Sequence, residues 1–372
     1  MKHDLKNIFS KFLIDGQFLE AYPYGTGHIN DTYALICNEK AAKRRYIIQR
    51  INHIVFKNPP QLMDNIVRVT RHIFSKLEPV TSKDEIYRNV LTVIPTRDGG
   101  TYHKDAEGNY WRTYFFIENA KTYDVITNID QAYQSAKAFG NFQNMLADLP
   151  QPPLFETIPN FHNGPKRFEN FQQAVENDIC NRVKDAKNEI DFVLANRRIF
   201  ETVPQLIEQQ KLPIRITHND TKINNVMIDD YTGRGICVID LDTVMPGSAL
   251  YDFGDIMRTT ISRSEEDERD LSKVFVQMPW FEAILKGYLE SASKFLNKTE
   301  IENLVFGGKL ITFIIGTRFL TDFLSGDVYF KIHRDGQNLD RARTQFKLVA
   351  SIMANEQEMT KLVEKYFKSD RK

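Results

Sequence analysis

Strand signals in this 372-residue chain are confined almost entirely to its first third. Residues 19–118 hold five runs rich in β-branched and aromatic residues: "FLEAYPYG", "DTYALIC", "RRYIIQRI", "NVLTVIPT" and "YWRTYFFIE". Such runs read as strands, and "DGG" and "EGN" between the last two read as turns. One helix interrupts them. Leu62, Ile66, Val69, Ile73 and Leu77 recur at spacings of three and four, one face of a helix from Pro60 to Leu77. Ile8, Phe9, Phe12 and Leu13 predict an amphipathic starting helix. Beyond Glu118 the periodicity is helical, in "QAYQSAKAFGNFQNMLADL" and around 166–184, 187–210, 268–295, 299–324 and 341–367. The exception is Ile214–Asp240, where "VMIDD", "YTGRG" and "ICVID" read as a hairpin with a glycine-containing turn. The expectation is an α+β chain in two parts. Residues 1–118 form an antiparallel sheet with one helix, residues 119–372 a larger helical part, and Glu118–Tyr123 connects them.

Two domains suit this length. Lys+Arg and Asp+Glu both number 49, so no broad basic field is available for nucleic acid or an anionic membrane surface. Hydrophobic residues make up 42% and charged ones 26%, the balance of a soluble globular protein, and nothing implies a protein partner. The N-terminal "MKHDLKNIFSKFLIDG" has charges among its apolar positions, unlike a signal peptide or a membrane span. Cys37, Cys180 and Cys237 match no zinc spacing. Cys37 and Cys237 sit in apolar runs as expected core residues, and so sparse a set suits a reducing cytoplasm.

The polar stretch "ITHNDTKINNVMID", Ile216–Asp229, opens the hairpin, and "VIDLDT" closes it. A hairpin brings its ends together, so Asp220, Asn225 and Asp240 can converge. Phosphoryl transfer needs that set: a carboxylate to orient or deprotonate a hydroxyl, and oxygen ligands for Mg²⁺. Lys222 can offset charge on the moving group. A polar turn bonded to its own backbone is the competing reading. The "YGTGHINDTY" stretch adds a glycine-bearing turn between two strands, which can form a backbone cradle for phosphate oxygens or be a simple turn.

"HNDTKINN" followed by "VIDLDT" resembles the H-x-D-x-x-x-x-N loop and metal-binding Asp of the aminoglycoside phosphotransferase and choline kinase superfamily. "YGTGHINDTY", "YIIQRIN", "HNDTKINNV", "VIDLDTVMPG", "YDFGD" and "NLDRARTQ" together resemble N-acetylhexosamine 1-kinases across residues 22–345. The resemblance implies a protein-kinase-like bilobal fold, ATP and Mg²⁺ as cofactors, and phosphorylation of a small sugar at its C1 hydroxyl. It makes Asp220 the catalytic base and Asn225 and Asp240 the Mg²⁺ ligands. Asn219 stands where the superfamily usually has a small residue. Asp242 is either a second metal ligand or a turn residue. His218 braces the loop, and Asp252 and Asp255 cap a helix or pin the loop.

Gly25, Gly27, His28 and Asn30 are the expected phosphate-loop residues, and Phe116–Glu118 the connector whose backbone holds adenine. The third strand departs from the kinase pattern, offering Gln49 and Arg50 where a Lys is usual. Either can face the phosphates, and Arg50 can pair with Asp64 on the following helix. For the acceptor, Arg318 and Tyr329 in "GTRFLTDFLSGDVYF" are the favoured sugar contacts, with His162 and Arg258 as further candidates. Arg341 and Arg343 are expected in structural ion pairs. A kinase of the same fold acting on choline, homoserine or an aminoglycoside is the enzyme alternative. An inactive nucleotide-binding scaffold is the alternative of another class.

Overall fold

The structure, a computed structural model, describes residues 3–25, 27, 29–40 and 42–369. The chain divides into two units. Its division is not a single cut after residue 118. The first unit comprises residues 1–121 together with 148–159 and 227–245, and the second comprises 122–147, 160–226 and 246–372.

In the first unit, α1 (Leu5–Phe9) precedes three long strands, β1 (Gln17–Pro23), β2 (Asp31–Glu39) and β3 (Ala42–Ile51). Helix α2 (Pro59–Leu77) follows, capped by Asn58 with Pro in its first turn, where a missing N–H does no harm. A helix that periodicity did not signal, α3 (Lys83–Asn89), comes next, started by the Ser82 side chain. Then come β4 (His103–Lys104), β5 (Tyr110–Phe115) and β6 (Ala120–Lys121). The main sheet is antiparallel, in the order β1-β2-β3-β5-β4. The expected strand "NVLTVIPT" makes only isolated bridges, Phe12 to Thr96 and Val93 to Tyr114. Pro95 near its end lacks the N–H that a ladder would use.

Alternation along the strands gives the sheet two different faces. One presents Tyr33, Leu35 and Cys37 of β2, Tyr46 and Ile48 of β3 and Trp111 of β5. These pack with Leu5, Ile8, Phe9 and Phe12, so the starting helix seals an apolar core. The opposite face carries the row Thr32, Gln49 and Arg112, aligned across β2, β3 and β5.

The second unit contains α4 (Ile129–Leu146), α5 (Gly164–Asn177), α6 (Lys187–Ala195) and α7 (Thr202–Glu208). The strands β7 (Arg215–Thr217), β8 (Val226–Asp229), β9 (Gly235–Val238) and β10 (Met245–Gly247) follow. Strands β8 and β9, which from residue 227 on belong to the first unit, form the anticipated hairpin and pair there with β6. The chain ends with α8 (Ala249–Thr260), α9 (Met278–Ala292), α10 (Lys298–Glu302), α11 (Leu304–Leu324) and α12 (Gln337–Ser369). The helical run expected over 187–210 is broken by a 3₁₀ turn, Arg197–Phe200, and that over 268–295 begins ten residues later than expected, at Met278. Helix α11 is long and apolar enough to cross a membrane, yet 78% of its apolar window is buried within the protein. It is a core helix. Gly254 of α8 and Gly307 of α11 let the two backbones touch, since a Cβ at Gly254 would run into the Gly307 carbonyl.

Candidate active site

In the first unit the cross-strand row decides what Gln49 and Arg50 do. Adjacent residues of a strand point to opposite faces. Arg50 lies on the Trp111 side, where its guanidinium bonds Asp31 at 2.7 and 2.6 Å. The expected pair with Asp64 is not formed, because Asp64 sits one helical turn from Arg68 and reaches it at 3.9 Å. Gln49 lies on the other face. Its amide donates to Thr32 Oγ1 at 2.8 Å and its Oε1 accepts from Arg112 Nε at 3.0 Å. The rest of the Arg112 guanidinium forks onto both oxygens of Asp242, with Nη2 3.0 Å from Oδ2. Arg112 and Asp242 are 1% and 2% exposed. Burial works against the charge on Arg112, but the Asp242 carboxylate more than compensates, and Asp240 adds to the same field.

Asp242 is therefore a side chain held by other side chains, and Asn30 is one of them, donating to Oδ2 at 2.6 Å. The same Asn30 accepts from the Asn52 amide at 2.9 Å. It anchors the segment between β1 and β2 that holds Gly25, in the left-handed region at φ 79°, and Gly27. Only glycine adopts such a φ without strain. His28 lies outside the described residues. At the connector, Glu118 pairs with Arg45, whose guanidinium lies 3.8 Å above the Phe116 ring. Asp240 follows β9 at φ 58°, a left-handed conformation uncommon outside glycine but accessible to Asp. Asn65 of α2 is a further polar residue that periodicity passed over. Fully buried, it donates to the carbonyls of Phe155 and Val244 at 2.8 and 3.0 Å and so fixes the strand leaving Asp242.

In the second unit the loop after β7 is held from beneath by Asp252 of α8. Its carboxylate accepts the amides of His218 and Asn219 at 2.8 and 2.7 Å and the Gln143 side chain at 2.7 Å. The Asp252 carbonyl accepts Thr221 Oγ1 at 2.6 Å. Asn219 has φ 65°, which explains a small or Asx residue between His and Asp. Asp220 then projects with one quarter of its side chain exposed. Asn225 Nδ2 reaches the Asp220 carbonyl at 2.8 Å and its Oδ2 at 3.2 Å, and Lys222 Nζ lies 2.9 Å from Oδ1. Burial opposes ionisation of Asp220, but Lys222 holds its carboxyl below the ordinary 3.8. Asn225 spends its amide nitrogen on Asp220, which turns its carbonyl oxygen into the group left for a hard cation. Among the described residues no three His, Cys, Asp or Glu side chains cluster as a metal site. An amide oxygen of this kind is a hard ligand of the sort Mg²⁺ takes.

The acceptor candidates separate. Arg318 lies over the rings of Phe161, Tyr329 and Phe330 at 5.3, 5.5 and 5.3 Å, and its Nη2 is 3.4 Å from the Tyr329 hydroxyl. Asp322, one turn on, does not pair with it. Its two oxygens accept the amides of Val328, Tyr329 and Phe330 and the Asn338 side chain, ordering the turn that presents Tyr329. Arg167 is close to Arg318, and burial together with that like charge pulls it down to about 10. His162 is not an open contact. It is 6% exposed and donates from Nε2 to the Asn219 carbonyl at 2.9 Å, and burial lowers it to about 4. Arg258 is likewise withdrawn, buried against Asp255 at 2.8 Å and Glu266 at 3.6 Å. His162 thus supports the loop from behind. Arg341 and Arg343 pair with Glu266 and Glu189 as expected.

The family match and the fold make this a small-molecule phosphotransferase of α+β, kinase-like fold. The chain belongs to the phosphotransferase enzyme family that includes the aminoglycoside phosphotransferases, whose model matches residues 22–289. Solved structures agree on the fold. An aminoglycoside phosphotransferase from Alicyclobacillus acidocaldarius is similar over 97% of this chain and 95% of its own, at a TM-score of 0.58 and 12% identity. A choline kinase from Cryptosporidium parvum is similar over 94% and 91%, at 0.53 and 14%. An ethanolamine kinase from Plasmodium vivax is similar over 88% and 82%, at 0.53 and 14%.

Proposed function

We propose that this phosphotransferase moves the γ-phosphoryl group of ATP to the C1 hydroxyl of an N-acetylhexosamine, with Mg²⁺. Asp220 orients the acceptor hydroxyl and takes its proton. Lys222 keeps Asp220 ionised and offsets charge on the group in flight. Asn225 and Asp240 would hold the metal, which supplies neutralisation of the phosphate oxygens. Asp252 and His162 keep the loop backbone in place, so positioning carries the reaction.

One observation favours a sugar over a cationic alcohol. The aromatic faces of Phe161, Tyr329 and Phe330 are covered by the guanidinium of Arg318. A quaternary ammonium or polyamine acceptor needs such faces open for itself. Here it would meet Arg318 and Arg167, two like charges, and Arg167 is already lowered by burial and by Arg318. Hydroxyl and acetamide oxygens instead accept hydrogen bonds from a guanidinium, and Tyr329, 60% exposed, offers a hydroxyl. The test is ADP release with N-acetylglucosamine, N-acetylgalactosamine, choline, homoserine and kanamycin. We expect turnover with the two sugars and their 1-phosphates as products. Turnover with choline or kanamycin alone would overturn this reading.

A further inference from the structure

A kinase-like fold needs a cation on the nucleotide side of its sheet, and in the row that meets Asp242 β3 offers Gln49, its Arg45 on the same face being engaged by Glu118 and Phe116. We propose that Arg112 of β5 takes over this organising task as a positioning residue. Gln49 clamps it from β3, and it binds Asp242 and, through Asn30, the glycine loop, so that loop and Asp240 turn are fixed together for the Mg²⁺–nucleotide.

The argument is one of register and valence. Gln49 stands opposite Arg112, and Thr32 stands opposite Gln49, so three strands contribute one continuous row. The row runs Thr32 ← Gln49 ← Arg112 → Asp242, each arrow a hydrogen bond from donor to acceptor. Gln49 is the right length and polarity for this. Its carbonyl takes the Nε–H that would otherwise be stranded in the sheet, and its own N–H₂ ends on Thr32. A Lys at 49 would place a second cation against Arg112. The Gln in the third strand and the Arg in the fifth are thus one device. Both oxygens of Asp242 are already engaged, by Arg112 and by Asn30. Asp242 therefore serves the chain, and its bonds to Arg112 and Asn30 hold the turn that carries Asp240. Fork geometry matters as much as charge, because only a guanidinium can bind two carboxylate oxygens while donating Nε–H sideways.

The experiment is calorimetric titration of ADP with and without Mg²⁺, which needs no acceptor and so is independent of the sugar reading. Arg112→Lys keeps the charge and loses the fork. It should weaken Mg²⁺–ADP binding about tenfold while metal-free ADP changes by less than about threefold. Asn30→Ala should weaken Mg²⁺–ADP in the same direction with little change in Tm, as the partly exposed link between loop and turn. Because Arg112→Lys can destabilise a buried pair, Arg112→Met with Asp242→Leu is the companion. Removing both charges should restore Tm but leave Mg²⁺–ADP binding weak. If that double variant binds Mg²⁺–ADP like wild type, the pair is only structural and the proposal falls. Equal weakening of metal-free and Mg²⁺-bound ADP by Arg112→Lys would also overturn it.

Discussion

The residue with most resting on it is Asp220, and its surroundings explain why it is ionised without being freely solvated. Asp220→Asn keeps the shape, and the Asn225 and Asp252 bonds that set the loop remain. A general base contributes about 10²–10⁴-fold, so kcat should fall by that factor, with ADP affinity and Tm near wild type. Steady-state turnover beside calorimetry checks this, and a kcat above about a tenth of wild type would remove Asp220 from the role. His162 makes a separate prediction. The unfolded chain takes up a proton near 6.5, whereas burial delays uptake in the folded protein to about 4. Its contribution is therefore present above pH 6.5 and lost as pH falls through 4. His162→Gln retains a donor for the Asn219 carbonyl but cannot titrate. Between pH 6.5 and 4, wild type should lose on the order of 3 kcal/mol more stability than the variant, by linkage. Asp252, pushed up to about 6 by burial, titrates in the opposite sense, but it does so in both proteins and cancels. Urea denaturation at several pH values measures the difference, and parallel curves would contradict the assignment.

At the scale of elements, the interesting unit is the end of α11. Asp322 is 5% exposed and accepts three backbone amides from the turn beyond the helix. The turn exists because one carboxylate is aimed back at it, and Tyr329 stands where that turn puts it. Asp322→Ala removes the common acceptor of three amides, each such bond contributing about 0.5–1.5 kcal/mol. Tm should fall, and KM for the acceptor should rise about tenfold while KM for ATP stays within about twofold, since only binding in the second unit is disturbed. An ATP-side effect of equal size would show that the turn does not belong to the acceptor site.

For the molecule as a whole, the first unit is not a contiguous piece of chain. Arg112 is buried against Asp242, and Arg88 meets Asp229, both carboxylates arriving more than a hundred residues later. Strand β6 likewise finds its partner in β8. A fragment of residues 1–121 would hold a buried guanidinium without its carboxylate, and a broken buried pair costs about 3–5 kcal/mol. That is a large share of a domain's stability. The fragment should show no cooperative thermal transition by circular dichroism, whereas the full chain should. A sharp transition in the fragment would mean that residues 148–159 and 227–245 are accessory.

Local information was enough for much of this. The periodicity of Leu62, Ile66, Val69 and Ile73 marks α2, because a helix face depends only on neighbours within one or two turns. The glycine-containing turn marks the β8–β9 hairpin for the same reason, and the spacing of His218, Asp220 and Asn225 already names the loop. The break in "NVLTVIPT" and the short α3 were missed, since whether a strand-like run finds a ladder depends on partners elsewhere. The choice between Gln49 and Arg50 was open in sequence because both are polar and adjacent. It was decided by pairing with residues 63 and 19 positions away, Arg112 and Asp31. Arg112 itself had left a trace, a charge inside the apolar run "YWRTYFF", but its partner Asp242 lies 130 residues on. A side chain's face follows from its own strand, whereas the charge that meets it there follows from how the sheet is assembled, and that is a property of the tertiary structure alone.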